Sequence, residues 1–334
     1  MLYELGIIFF LSLSFIWLLQ KKAESLGLID IPNARSVHQT NVAKGAGIAF
    51  YFSVMLVIPF FHLDLILSHL LVTFAIFIVF VVGLLDDYYE MSPKTKFIVI
   101  IFATILLYFE DLVIDNIGIF FGVDISMSWF ALPFTIFAVS GFTNALNLID
   151  GLDGLAATTS IIIMGSFFIL GYHHNDTFMM LLSSTFLVSV LAFIFFNWYP
   201  ATIFMGDSGS LTLGFVISIL AIQSLEYIPT VSILFIAAIP ILDTVIVMFR
   251  RKLSGGSAFE ADSYHMHHLL KHYFKGSTQK TVVFLGLLQA IYSFIALQFD
   301  KGIDEGILLF IFILNGFLLY ILLNRMKKKQ VSEI

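Results

Sequence analysis

Asp86 and Asp87 stand side by side where an apolar run ends, in Gly83-Leu-Leu-Asp-Asp-Tyr-Tyr-Glu90, with Lys94 and Lys96 just beyond. Adjacent carboxylates at a water-poor boundary repel each other unless a metal, a cation or a proton offsets the repulsion. A solvated helix end is the plainer alternative. A second polar row, Asn144, Asn147, Asp150 and Asp153, recurs every third residue and closes on Gly151 and Gly154. Asn144 and Asn147 share one helix face, and two amides with two carboxylates suit a divalent ion or the polar edge of a nucleotide. A helix cap alone would need one such residue.

A third segment runs Asn197-Trp-Tyr-Pro-Ala-Thr-Ile-Phe-Met-Gly-Asp-Ser-Gly-Ser210. At a helix start, its Gly-Asp-Ser-Gly-Ser turn can present backbone N–H groups to an anion, while Asp207 can hold Mg²⁺. Phe204 or Trp198 can stack on a base. The plainer reading is an N-cap. The first polar loop carries Asp30, Pro32, Arg35, His38 and Lys44-Gly-Ala-Gly47. Its cations suit a phosphate, although taken alone it reads rather as an ordinary basic loop with a turn. The last loop holds Arg250-Arg-Lys252, then Ser254-Gly-Gly256, Asp262 and His265-Met-His-His268. Zinc, pyrophosphate or sugar binding is open to these histidines. Asp243 lies within an apolar run below Pro240, and an intramembrane carboxylate is either functional or paired.

The elements that must position these groups are membrane helices. Hydrophobic residues make up 59% of the 334 and charged residues 12%, about half the charged share of a soluble domain, and mean hydropathy is +0.98. Apolar runs predict an all-α integral membrane protein of about eleven transmembrane helices, at 3–20, 45–62, 65–85, 96–112, 130–149, 155–172, 177–197, 209–225, 229–249, 280–298 and 304–323. The first run precedes Lys21 and Lys22, the reverse of a cleavable signal peptide. With the N-terminus outside and the C-terminus cytoplasmic, only Lys301 of the seventeen Lys and Arg falls on an outside loop, a strong positive-inside pattern. The polar clusters then share the cytoplasmic side. Residues 110–129 form the one long outside loop, with the pattern of a small hairpin. One domain, 1–334, is expected. The absence of cysteine excludes disulfides and thiolate chemistry, and a net charge of −6 argues against a nucleic-acid partner.

In order and spacing, six motifs resemble the polyprenyl-phosphate N-acetylhexosamine-1-phosphate transferases. They are Asp30-x-Pro-Asn-x-Arg-x-x-His38, Asp86-Asp87, Asn144 to Leu155, Phe204-Met-Gly-Asp-Ser-Gly-Ser210, Pro240-x-x-Asp243 and His265-Met-His-His268. The resemblance spans almost the whole chain. It implies ten or eleven transmembrane helices in the cytoplasmic membrane and Mg²⁺ dependence, with Mn²⁺ a substitute. It also implies transfer of a sugar-1-phosphate, GlcNAc-1-phosphate first, from a UDP-N-acetylhexosamine to undecaprenyl phosphate, releasing UMP and starting a cell-surface polysaccharide. By position, Asp207 is the implied Mg²⁺ ligand and Asn147 a second; Asp86 and Asp87 match the aspartates near the lipid phosphate, with Asp86, Asp87 and Asp207 as the catalytic set. Asn144, Asp150, Asp153 and Phe204 fall on the nucleotide side. Lys96, Arg35, His38, Arg251, His265, His267 and His268 are implied phosphate and sugar contacts.

The chain departs from the family in its first loop, where Ala43-Lys44-Gly45-Ala46-Gly47 replaces a more glycine-rich run; Lys44 keeps the charge. The histidine loop resembles the branch that uses plain UDP-N-acetylhexosamines more than the muramoyl-pentapeptide branch. Attack on a pyrophosphate needs charge neutralisation more than covalent help, so direct attack is preferred over an aspartyl-phosphate. An intramembrane prenyltransferase would need Asp-Asp-x-x-Asp clusters, and Glu90 stands where the last Asp belongs. A lipid transporter would carry its polar groups near the midplane and show repeats. The sequence leaves the oligomeric state open, a homodimer included.

Overall fold

Backbone amides in lipid have no water to bond, so apolar runs fold as helices. The computed structural model describes residues 1–32, 40–253, 255 and 265–332; Arg35, His38 and Asp262 lie outside these. Among the described residues, eight helices are long and apolar enough to cross a bilayer. The chain is an all-α, multi-pass membrane protein with two small hairpins.

The chain divides into two compact units. The first, Met1–Asp115 with Met127–Tyr227, opens with α1 (Leu2–Leu26), β1 (Ile29–Asp30), β2 (Val42–Ala43) and α2 (Gly47–Phe61). It continues with α3 (Leu63–Ser68), α4 (Leu70–Tyr89) and α5 (Pro93–Tyr108), then α6 (Ala131–Ile149), α7 (Leu155–His174), α8 (Thr177–Asn197) and α9 (Asp207–Ser224). Helix α9 is the core element, since 15 of its 18 residues are buried. The six-residue α3 was not legible in the apolar pattern. It is bracketed by two acid–histidine pairs, Glu4 with His62 at 2.9 Å and Glu110 with His69 at 3.2 Å. Glu110 also accepts the N–H groups of Leu71 and Val72 at the start of α4, where a carboxylate favourably meets the helix dipole.

The second unit is Asn116–Ser126 with Ile228–Ile334. The hairpin expected within 110–129 is present as β3 (Asn116–Phe120) paired antiparallel with β4 (Val123–Ser126). The predicted span 229–249 is two helices, α10 (Ser232–Ile236) and α11 (Ala238–Leu253), followed by α12 (Met266–Tyr273), α13 (Thr278–Ala296) and α14 (Glu305–Ser332). Pro240 causes the break. It has no N–H to give the carbonyl four residues back, which is Ile236. That carbonyl accepts Gln289 Nε2 at 2.6 Å instead, and Gln289 Oε1 accepts the N–H of Ile239 at 2.9 Å. One buried amide thereby repairs both sides of the break.

Close backbone approach explains the glycines around the start of α9. A Cβ on Gly83 would lie 2.5 Å from the Asp207 carbonyl oxygen and 2.7 Å from Ser208 Cα. One on Gly47 would lie 2.0 Å from the Gly209 nitrogen. Backbone cannot step aside as a side chain can, and overpacking costs about 1–3 kcal/mol or more. Gly83→Ala is therefore expected to lower the thermal midpoint by several degrees. Gly141→Ala, where a Cβ meets nothing within 4 Å, is expected to be neutral or slightly stabilising. Thermal unfolding in detergent checks both; equal midpoints of the two variants would refute the packing account.

Candidate active site

Four loops of the first unit meet at one end of its helices. The segment 43–47 lies alongside 203–206: Phe204 N–H donates to Ala43 O at 2.8 Å, Ala46 N–H to Phe204 O at 3.2 Å, and Gly47 N–H to Met205 O at 3.1 Å. The first polar loop, ambiguous when read alone, thus holds the turn that carries Asp207. Asn197, at the end of α8, joins two further loops. Its Oδ1 accepts the Gly154 N–H at 2.9 Å and its Nδ2 donates to Ile203 O at 3.0 Å. Asp153 Oδ2 accepts the Ala201 N–H at 3.0 Å. Asp153 therefore fastens a loop with one oxygen, and Asn197, 3% exposed, is a framework residue that sequence reasoning missed. A buried Asn at a membrane-helix end was the available signal.

Within this frame, Lys96 bridges two carboxylates. Its ammonium lies 2.7 Å from Asp207 Oδ2 and 3.2 Å from Asp86 Oδ2. Asn147 Nδ2 donates to Asp207 Oδ1 at 3.0 Å and to Ser210 Oγ at 2.8 Å. Asn147, expected as a metal ligand, thus meets Asp207 through nitrogen, the atom that cannot ligate. In this arrangement it orients the carboxylate, and Ser210 steadies it.

Asp87 differs sharply from its neighbour. It is 5% exposed, and its oxygens accept the N–H groups of Asp207 at 2.8 Å and Ser208 at 3.1 Å. The backbone donors that the Gly-Asp-Ser-Gly-Ser turn was expected to offer a substrate anion are given to the protein's own carboxylate. Gly206, at φ +73°, makes this fit, because a Cβ there would lie 2.6 Å from the Asp87 carboxylate. Asp87, expected in the catalytic set beside Asp86, is thus placed as the cap of α9. Asp86 keeps one oxygen, Oδ1, buried and without a partner among the described residues.

Asp150 follows α6. Burial, reinforced by the charges of Asp207, Asp87 and Asp153, pushes its carboxyl well above the usual range. Asn144 is half-buried one turn before Asn147, and Phe204 is half-buried beside the Asp207 turn.

The donor set fits a hard divalent cation. Asp86 and Asp207 offer carboxylate oxygens, one Asp86 oxygen has no hydrogen bond among the described residues, and the Lys96 ammonium sits between the two carboxylates as a positive charge. Among the described residues, no three His, Asp or Glu side chains converge as a metal cage. Mg²⁺ characteristically uses one or two carboxylates and completes its shell with water and substrate phosphates.

In the second unit, the histidines gather around Asp243. His265 Nδ1 lies 2.8 Å from Asp243 Oδ2. His267, expected among the protruding substrate contacts, is instead 2% exposed. Neither of its ring nitrogens has a hydrogen-bond partner among the described residues. Burial pushes its imidazole down to about 3, so the ring is neutral at physiological pH. His268 and Arg251 are half-buried.

A family model described as glycosyl transferase family 4 matches residues 69–225, the stretch that carries Asp86, Lys96, Asn147 and Asp207. Across 306 residues the chain is 32% identical to a probable undecaprenyl-phosphate N-acetylglucosaminyl 1-phosphate transferase of Bacillus subtilis (strain 168), covering 90% of this chain and 85% of that protein. It is 31% identical to the undecaprenyl-phosphate alpha-N-acetylglucosaminyl 1-phosphate transferase of Yersinia pestis, covering 95% and 89%. The corresponding enzyme of Escherichia coli O157:H7 is 29% identical, covering 94% and 88%. Similarity of this extent, running through every cluster just described, makes the chain a member of the polyprenyl-phosphate N-acetylhexosamine-1-phosphate transferases of glycosyl transferase family 4.

Proposed function

We propose that the protein transfers N-acetylglucosamine-1-phosphate from UDP-GlcNAc to undecaprenyl phosphate, releasing UMP and starting a cell-surface polysaccharide. The observation that carries the reading is the Asp86–Lys96–Asp207 cluster, held at a membrane-helix end in a chain whose relatives bear that activity in their names. We place this end at the cytoplasmic face, on the strength of the lysine and arginine sorting.

An oxygen of the lipid phosphate attacks the sugar-bearing phosphorus of the donor. The bond from that phosphorus to the bridging oxygen breaks, and UMP departs with the oxygen. A phosphate monoester has its second pKa near 6, so the acceptor is largely an anion already, and Asp86 takes any remaining proton. Asp207 and Asp86 would hold Mg²⁺, whose charge would offset that of the phosphates. Lys96 contributes a second positive charge. Asp87 holds the Asp207 turn rigid from beneath. Phe204 packs on the uracil, and Asp150 lies on the nucleotide side. Direct attack suits this site, because the buried carboxylate Asp87 is already committed to backbone N–H groups.

Purified protein with undecaprenyl phosphate, Mg²⁺ and a panel of UDP-sugars tests the reading by UMP release. UDP-GlcNAc is expected to turn over fastest and the muramoyl-pentapeptide nucleotide not at all; the reverse order would overturn it. His268→Ala is expected to raise KM for UDP-GlcNAc or lower turnover, leaving KM for the lipid within twofold. A zinc chelator weak for Mg²⁺ is expected to have no effect.

A further inference from the structure

Ser210 stands three residues after Asp207 on α9, so the two share one face of its first turn. It is fully buried. A serine hydroxyl has one proton to give and lone pairs to accept with, and here both functions are used. Oγ–H donates to the Gly206 carbonyl at 3.1 Å. Oγ accepts from Asn147 Nδ2 at 2.8 Å. Asn147 lies on α6, so the second bond joins two helices of the first unit.

The first bond gives direction to the second. The Gly206 carbonyl already accepts the Ser210 N–H at 2.9 Å, so the helix does not need the hydroxyl. Helical serines return their proton to the carbonyl four residues back, and with the proton placed there Oγ shows Asn147 only lone pairs. Asp207 Oδ1, 3.0 Å from the same nitrogen, is an acceptor as well. Two acceptors one turn apart on α9 thus bracket one NH₂ group that has two protons to give. The two ends of a carboxamide are alike in size, so packing does not choose between them. Hydrogen bonding does, because the reversed amide would set its carbonyl oxygen against both acceptors.

We infer that Ser210 is a positioning residue for the transfer reaction, whose hydroxyl fixes the Asn147 amide with its nitrogen toward Asp207. Asn147 then holds the Asp207 carboxylate at Oδ1 while Lys96 holds it at Oδ2. This rests on the transferase reading above, because Ser210 acts only through Asp207. Ser210→Ala is the matching change. It removes the acceptor and little volume, and it leaves the N–H of residue 210 on the Gly206 carbonyl. Asn147 then keeps one anchor instead of two.

An NMR measurement and a kinetic one test the role. For the first, the protein with ¹⁵N-labelled asparagine side chains is placed in lipid nanodiscs without substrate or divalent cation. The Asn147 signal is assigned by its loss in Asn147→Ala. In wild type both Nδ2 protons are expected downfield and slow to exchange with solvent. In Ser210→Ala one of them is expected to move upfield and to exchange about tenfold faster, as loss of one hydrogen bond implies. A free Nδ2 proton in wild type overturns the proposal, and that result does not need Ser210→Ala to fold. An Asn147 signal unchanged by Ser210→Ala overturns it too. For the second, UMP release is followed while each substrate is varied in turn. Ser210→Ala is expected to lower kcat about fivefold to tenfold, the cost of a donor left without its acceptor, with both KM values within twofold. In an Asn147→Ala background the same change is expected to alter kcat less than twofold, because its effect travels through Asn147. Effects that multiply, or a lowered thermal midpoint with unchanged kcat, would make Ser210 a packing residue and overturn the proposal. Absence of UMP release from wild type would instead strike the transferase reading, and the Asn147 spectrum would still decide whether Ser210 holds the amide.

Discussion

Asp207→Asn is expected to leave a folded protein with turnover reduced about a thousandfold, at the upper end for loss of one electrostatic contact to a transition state. The carboxylate is bound on both oxygens, by Lys96 at 2.7 Å and Asn147 at 3.0 Å. Asparagine keeps the shape and can still accept one of these bonds. It removes the negative charge, and with it the carboxylate proposed to hold a divalent cation. Lys96 would then keep Asp86 as its carboxylate partner in this cluster. The main-chain N–H of residue 207, which ties α9 to Asp87, is untouched, so the thermal midpoint should move little. Excess chelator is expected to abolish UMP release from wild type, and Mg²⁺ or Mn²⁺ to restore it. Full activity in chelator, or in the Asn variant, would remove both the metal and Asp207 from the mechanism.

Much of this architecture is written in hydrophobicity. The apolar runs mark the helices because lipid leaves the backbone one satisfactory conformation. The break at Ala237 is harder to read. Pro240 announces a freed carbonyl, but the side chain that satisfies it, Gln289, is about fifty residues away. The same limit applies at the active site. Asp86, Lys96, Asn147 and Asp207 are recognisable as polar residues where apolar runs end, and the structure brings them together. Which carboxylate faces the cluster and which supports the backbone is decided by helix phase and by Gly83 and Gly206. Adjacent residues on a helix point 100° apart, so Asp86 and Asp87 could not share one task. Likewise, three histidines in a row of four suggested three donors, whereas one is paired with Asp243 and another is buried.

The division of labour between Asp86 and Asp87 predicts two different kinds of failure. Asp86→Asn is expected to lower turnover about a hundredfold, the lower range for a proton-transfer group, with an unchanged thermal midpoint. Its Oδ1 makes no hydrogen bond of the ordinary geometry to a described residue, its Oδ2 accepts from Lys96, and its remaining neighbour is the Asp207 carboxyl of the same cluster, so the helix framework leans on it little. Asp87→Asn attacks the scaffold. A carboxylate satisfies the Asp207 and Ser208 N–H groups together, whereas a carboxamide has one oxygen and turns an NH₂ group toward the second donor. A buried donor left unsatisfied costs about 1–3 kcal/mol, and losing the anion at the start of α9 removes up to about 2 kcal/mol more. Asp87→Asn is therefore expected to lower the thermal midpoint and, by displacing Asp207, to lose activity as well. Thermal unfolding and UMP release on both variants separate the two residues. Equal stability of the two proteins, or a stable and inactive Asp87→Asn, would return Asp87 to the chemistry and defeat its assignment as the cap of α9.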